Sequence, residues 1–276
     1  MPEHPQSPTN AHAAADGVRP VILVLDFPGH RPEARLSELR LEEAGYDVRE
    51  LLVRPLPRDL TAEAYAIQAL TTSGTAPEGV HAVLGYCMGA SLAQRVASVT
   101  SAGHLLLFDA ERATEETITG ELRNVLRSFD PEAELPPSLS GAELAGAPES
   151  FMERIDAHLF SVISAALREG DDGPYTDKDE DLTVAQVARG LMGTYLDWLA
   201  HLVAASDTST EAPARGSGGL LHAVHVTSSG HPLPEDWAAV TGMPRHVVET
   251  GRNDLARTEE TRALTLRLLR AEHPMT

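Results

Sequence analysis

The 276 residues can bury one sizeable core with length left for an inserted subdomain, and no apolar run approaches the roughly 20 residues of a membrane span. The net charge of −19 argues against nucleic acid and anionic membranes as partners. Of that charge, −13 falls between Glu111 and Arg215, where 21 acidic residues stand against 8 basic ones, and reads as a solvated acidic surface.

Met1 to Gly17 is rich in Pro, Ala and His and has no apolar h-region, so residues 1–18 are expected to be a disordered tail rather than a signal peptide. Val21 to Leu25 is a buried strand, ending in the loop Asp26-Phe27-Pro28-Gly29-His30. Pro32 to Ala44 reads as a helix and Asp47 to Val53 as a second strand. Thr61 to Thr71 reads as a helix capped by Thr61. The apolar run Val80 to Leu84 is a third strand, followed by Gly85-Tyr86-Cys87-Met88-Gly89 and a helix to about Val99. His104 to Phe108 is a fourth strand. Strands alternating with helices imply a mostly parallel sheet with helices on both faces.

After Asp109 about 100 residues pass without a core strand. Two amphipathic helices are expected instead, over Ser150 to Arg168 and Leu182 to Ala205, with the loop Glu169 to Pro174 between them. The second sets Val184, Val187, Leu191, Tyr195, Trp198 and Leu202 along one side. The aromatic and methionine positions of this region (Phe151, Met152, Phe160, Met192, Tyr195, Trp198) read as core packing before substrate contact. Ala212 to Gly219 reads as a hinge, after which Leu220 to Thr227, Pro234 to Val240, His246 to Glu249 and Ala256 to Glu272 resume as strand, helix, strand and closing helix. The domain reading is a core over 19–110 and 219–276 with a helical lid inserted over 111–218.

A strand, G-x-C-x-G and then a helix form a nucleophile elbow, with cysteine where serine is usual. The flanking glycines spare a strained turn the clash of a Cβ, and the helix start offers free N–H groups to a thiolate or an oxyanion. Cys87 is the sole cysteine, which excludes an internal disulfide and fits a reducing cytoplasm.

From about Arg19 onward the chain resembles the α/β-hydrolase thioesterases that release products from polyketide and non-ribosomal peptide assembly lines. The resemblance rests, in chain order, on Phe27-Pro28-Gly29, the G-x-C-x-G elbow, the strand ending Leu107-Phe108-Asp109, the lid, and Pro232-Leu233-Pro234-Glu235-Asp236-Trp237. It implies an α/β-hydrolase fold with a helical lid and no bound cofactor. The acyl or peptidyl substrate would arrive on the phosphopantetheine of a carrier protein. It maps Cys87 to the nucleophile and Asp109 to the acid that orients a histidine. The oxyanion donors would be the backbone of Met88 and of the Phe27–Gly29 loop. Tyr86, Asn253 and His231 would face the substrate pocket. A homodimer is compatible with paired lid helices.

The family's histidine follows the last strand in a Gly-x-His turn, where this chain reads Gly251-Arg252-Asn253. An amide takes up no proton at neutral pH, so Asn253 is no general base. Three readings remain open. A thiol, ionised more readily than a hydroxyl, can accept the acyl group while release favours cyclisation or transfer over hydrolysis. Alternatively, His30 or His231 supplies the base. Or the protein is a non-hydrolytic cyclase or carrier-binding accessory without covalent catalysis. Dienelactone hydrolases share G-x-C-x-G but need the late histidine. No zinc-ligand spacing is present, and His222 and His225 fall on opposite faces of a strand.

Overall fold

The computed structural model describes residues 19–28, 32–136, 139, 144, 147–169, 178–207, 222–232 and 243–271. Among these residues six strands form one parallel sheet in the order β2-β1-β3-β4-β5-β6: β1 Val21–Leu25, β2 Asp47–Glu50, β3 Val80–Tyr86, β4 His104–Phe108, β5 His222–Ser228 and β6 Arg245–Val248. The first strand lies one place in from an edge; the chain steps outward to the edge strand β2, returns past β1 to β3, and then advances to the other edge. With a strand–Cys87–helix elbow after β3, this is the α/β-hydrolase fold.

Period-2 alternation divides the sheet between two cores. Leu23, Leu25, Val83, Leu105 and Leu107 face one side, against α1 (Ala62–Thr72), α2 (Gly89–Thr100) and the helices between β4 and β5. Ile22, Val24, Ala82, Leu84, Leu106, Phe108, Val224 and Val226 face the other, against α6 (Glu259–Arg270) and the segment after β1. Each of the Leu, Ile, Val and Phe side chains among them, fully buried, contributes about 1.5–3 kcal/mol.

The segment expected to be one helix over Pro32 to Ala44 forms two 3₁₀ turns, Leu36–Leu39 and Leu41–Ala44. Arg40 between them takes the left-handed conformation at φ 49°. On a continuous helix Leu36 and Leu41 would lie on opposite flanks. The break turns both inward, where each is 2% exposed. The Asp26 carboxylate, accepting from the Leu36 amide at 2.8 Å, anchors the first turn.

Among the described residues between β4 and β5 lie three helices: α3 Glu115–Phe129, α4 Pro148–Glu169 and α5 Lys178–Ser206. The sequence reading anticipated the last two and not α3, which is capped by Thr114 Oγ1 accepting from the Thr117 amide at 3.2 Å. Thr61 caps α1 as expected, at 3.3 Å from the Ala64 amide. The closing helix starts at Glu259, later than the expected Ala256, because Arg252–Arg257 forms a 3₁₀ segment first. The tail, most of the 169–174 loop, the 212–219 hinge and the helix expected over 234–240 lie outside the described residues. No helix among the described residues is long and apolar enough to cross a membrane.

The elbow depends on a close helix–strand approach. A Cβ on Gly85 would stand 2.5 Å from the Ala93 Cβ and 3.2 Å from the Ala90 Cα, and one on Gly89 would stand 3.2 Å from the Leu25 carbonyl oxygen. Replacing Gly85 by Ala should therefore push α2 off the sheet and destabilise the fold by about 1–3 kcal/mol. Chemical denaturation measures this, and an unchanged midpoint would contradict the packing.

Candidate active site

Cys87 adopts φ +52°, the left-handed conformation that costs a non-glycine residue about 1–2 kcal/mol. It is held there by three backbone bonds. Its amide donates to the Phe108 carbonyl at 2.9 Å, and its carbonyl accepts from the amides of Ala90 at 3.1 Å and Glu111 at 3.2 Å. The last bond matters most for chemistry, because it brings the Glu111 side chain to the sulfur. The thiol donates to Glu111 Oε2 at 3.3 Å, and the sulfur accepts from Arg252 Nη2 at 3.1 Å. Arg252 Nη1 in turn donates to Glu111 Oε1, closing a three-membered ring of side chains. Glu33 Oε1 lies 3.6 Å from Arg252 Nε.

Burial, and then the Glu111 charge, push the Cys87 thiol up to about 12; Arg252 and the Met88 amide oppose them without prevailing. The resting residue is thus a thiol. The expectation of readier ionisation at a helix start is corrected, since desolvation and a neighbouring carboxylate outweigh the dipole. Burial likewise raises the Tyr86 phenol to about 12, with Arg252 opposing.

The thiol opens into a cavity of about 690 Å³, within the usual range for small-molecule sites. Phe27, Tyr86, Met88, Gly89 and Arg252 line it from the core, and Leu191, Thr194, Tyr195, Trp198 and His201 from α5. Two residues expected as core packing, Tyr195 and Trp198, therefore form cavity wall, whereas Phe151 and Met192 are fully buried. Of the stripe expected on α5, Leu191, Tyr195 and Trp198 line the cavity, Val187 is exposed, and Leu202 is buried in the core with Ala188, Leu199 and Val203. Trp198 Nε1 donates to Glu121 Oε2 at 3.2 Å, and its ring centre lies 4.6 Å from that of Phe27.

Several expected site residues are placed differently. Asp109 is fully buried and accepts from the Ser228 amide at 2.7 Å and the Ser228 hydroxyl at 2.8 Å. His231 Nδ1 is 3.8 Å from Asp109, beyond hydrogen-bond reach, while its Nε2 pairs with the Ala110 carbonyl at 3.3 Å. His231 does not line the cavity, and no histidine among the described residues bonds the Cys87 sulfur. Asn253 is exposed; its carbonyl accepts from the Ala34 amide at 2.9 Å, which turns the preceding Arg252 toward the sulfur instead. Tyr86, Met88 and Phe27 line the cavity, while Gly29 and His30 lie outside the described residues. The reading from sequence missed Glu111, Arg252 and His201. Glu111 follows Asp109 by two residues and Arg252 precedes Asn253 by one, so both stood beside the expected positions. Among the described residues no three His, Cys, Asp or Glu side chains form a group that could hold a metal ion.

No family model and no curated protein matches the chain. Among solved structures, it is similar to the thioesterase domain of the curacin biosynthetic pathway, at 15% identity and TM-score 0.45 over 92% of each chain. It is also similar to a carboxylesterase of Nitrososphaera gargenis, at 11% identity and TM-score 0.48 over 91% of this chain and 89% of that one. A third is a four-domain non-ribosomal peptide synthetase, at 12% identity and TM-score 0.47 over 94% of this chain; the match spans 20% of the synthetase.

Two measurements check this electrostatic picture. At pH 8 Cys87 should react with iodoacetamide about a thousandfold more slowly than a free thiol. Glu111→Gln should speed that alkylation and Arg252→Gln slow it further, as followed by intact mass. Burial also lowers His225 to about 4, so the folded ring stays neutral while the unfolded one protonates below about pH 6.5. The unfolded state then binds more protons, and stability falls as pH drops from about 6.5 to 4, by up to about 1.4 kcal/mol per pH unit for this group. His225→Gln, which can still accept from the Ala110 amide, should flatten that slope in thermal melts across the same window.

Proposed function

We propose that this protein is a thioesterase-like acyl-transfer enzyme of natural-product biosynthesis, working through Cys87. The observation that carries the reading is the thiol at the cavity wall, bonded at once to a carboxylate and a guanidinium. The motif order described above supports the substrate class, an acyl thioester delivered on the phosphopantetheine of an acyl or peptidyl carrier protein.

In the proposed first step the Cys87 sulfur attacks the thioester carbonyl as the S–H proton passes to Glu111 Oε2. Arg252 stabilises the negative charge that grows on sulfur. The carbonyl electron pair moves to oxygen, and the Met88 amide donates to that oxyanion. Collapse expels the carrier thiolate, which takes the proton from Glu111. Release follows when an internal amine or hydroxyl attacks the acyl-Cys87 bond, loses its proton to Glu111 and expels the Cys87 thiolate, which Glu111 then reprotonates. A carboxylate is a weaker base than imidazole toward water, which supports cyclisation or acyl transfer over hydrolysis.

A second reading has its own support. With the thiol pushed up to about 12, the cavity can fold or carry an acyl chain without covalent attachment, as an accessory protein or a non-covalent cyclase. Incubation with octanoyl-N-acetylcysteamine and intact-mass measurement separates the two. The first reading expects an octanoyl adduct on wild type, none on Cys87→Ala, and adduct formation slowed about 100-fold or more in Glu111→Gln. Equal absence of adduct on wild type and Cys87→Ala, with the thioester still bound, would establish the second.

A further inference from the structure

His201 is a histidine that the mechanism above does not use. It sits on α5, is 1% exposed, and lines the cavity that holds Cys87. Its ring is stacked on Trp198 with centres 5.5 Å apart and planes 16° apart, and its centre lies 5.1 Å from that of Phe27. Nδ1 is 3.1 Å from the Tyr65 hydroxyl, and Nε2 has no hydrogen-bond partner among the described residues. The Nε2 edge points at the start of α2: a Cβ on Gly89 would lie 3.8 Å from Nε2 and 3.9 Å from Cε1. Gly89 directly follows Met88, whose amide is the first oxyanion donor.

The tautomer follows from accounting for hydrogens. Tyr65 is fully buried, and its hydroxyl has no bond among the described residues except that to His201. A buried O–H without an acceptor costs about 1–3 kcal/mol, so the phenol donates to Nδ1. The ring proton then resides on Nε2, a donor beside Gly89 in the lining of the cavity. Burial supports this by lowering His201 to about 3, so the ring is neutral and holds one proton at physiological pH.

We propose that His201 is a catalytic residue of the acyl-transfer reaction: its neutral Nε2–H, set by Tyr65, donates to the thioester oxygen as the second member of the oxyanion hole beside the Met88 amide. The helices between β4 and β5 thus supply part of the catalytic apparatus as well as a cavity wall. This rests on the acyl-transfer reading given above, and His201 moves no proton in it.

The test uses full-length wild type, His201→Gln, His201→Met and Tyr65→Phe with octanoyl-N-acetylcysteamine, measuring adduct formation on Cys87. Binding of the non-reactive thioether analogue is measured alongside. Loss of one oxyanion donor lowers the rate by about 100- to 1000-fold, which is the effect expected for His201→Met. Thioether affinity should change less than threefold. His201→Gln, which retains an N–H near the Nε2 position, should recover most of the rate, and Tyr65→Phe should fall between. Equal acylation of wild type and His201→Met would overturn the role of His201 and leave the acyl-transfer reading standing. Parallel loss of rate and thioether binding in both His201 variants would assign the residue to packing instead. Absence of adduct on wild type would overturn both.

Discussion

Everything at this site depends on how closely α2 approaches the sheet. Gly85 and Gly89 let the helix backbone and Ala93 sit where any side chain would collide, so the chain must turn sharply between β3 and α2. That turn forces Cys87 into the left-handed region, a cost sustained by hydrogen bonds to Phe108, Ala90 and Glu111. The same bonds point the thiol outward over the C-terminal edge of the sheet. This is the edge of an open α/β sheet where ligands bind, and here the strand ends bring Glu111 and Arg252 together around the sulfur.

The chemistry that results differs from a thiol–imidazole pair. A carboxylate beside a buried thiol keeps the proton on sulfur, while a guanidinium bonded to both partners favours negative charge there. Two opposed influences on one atom give a thiol that is quiet at rest; in the proposed reaction it would be helped only as charge develops. The neutral His201, held by Tyr65 and stacked on Trp198, has the same character, since a neutral donor leaves the resting thiol unperturbed. Asp109, freed from holding a histidine to the thiol, ties β4 to the Ser228 end of β5.

The fold was largely legible in the sequence because its signals are local. Five-residue apolar runs become strands through burial on both faces, and Thr61 caps α1 because a hydroxyl three residues ahead of a free amide suffices. Where the reading failed, a contact from elsewhere decided. The helix expected over Pro32 to Ala44 breaks at Arg40, so that Leu36 and Leu41 can both reach the core. The apolar stripe of α5 divides between cavity and core because a cavity wall and a core wall are equally apolar to periodicity.

By itself the sequence determined the parallel sheet, the elbow and the identity of the one thiol, since spacing along the chain carries all three. Only the tertiary structure decided what that thiol touches. Glu111 lies 24 residues from Cys87 and Arg252 lies 165 residues away, while His201 meets a tyrosine 136 residues before it. Nothing in a linear pattern distinguishes Arg252 turned inward from Asn253 turned outward; the Ala34 amide bonded to the Asn253 carbonyl makes that choice. The physical reason is that side-chain direction at a loop is fixed by the backbone bonds the loop makes to distant segments, and those exist only once the chain has folded.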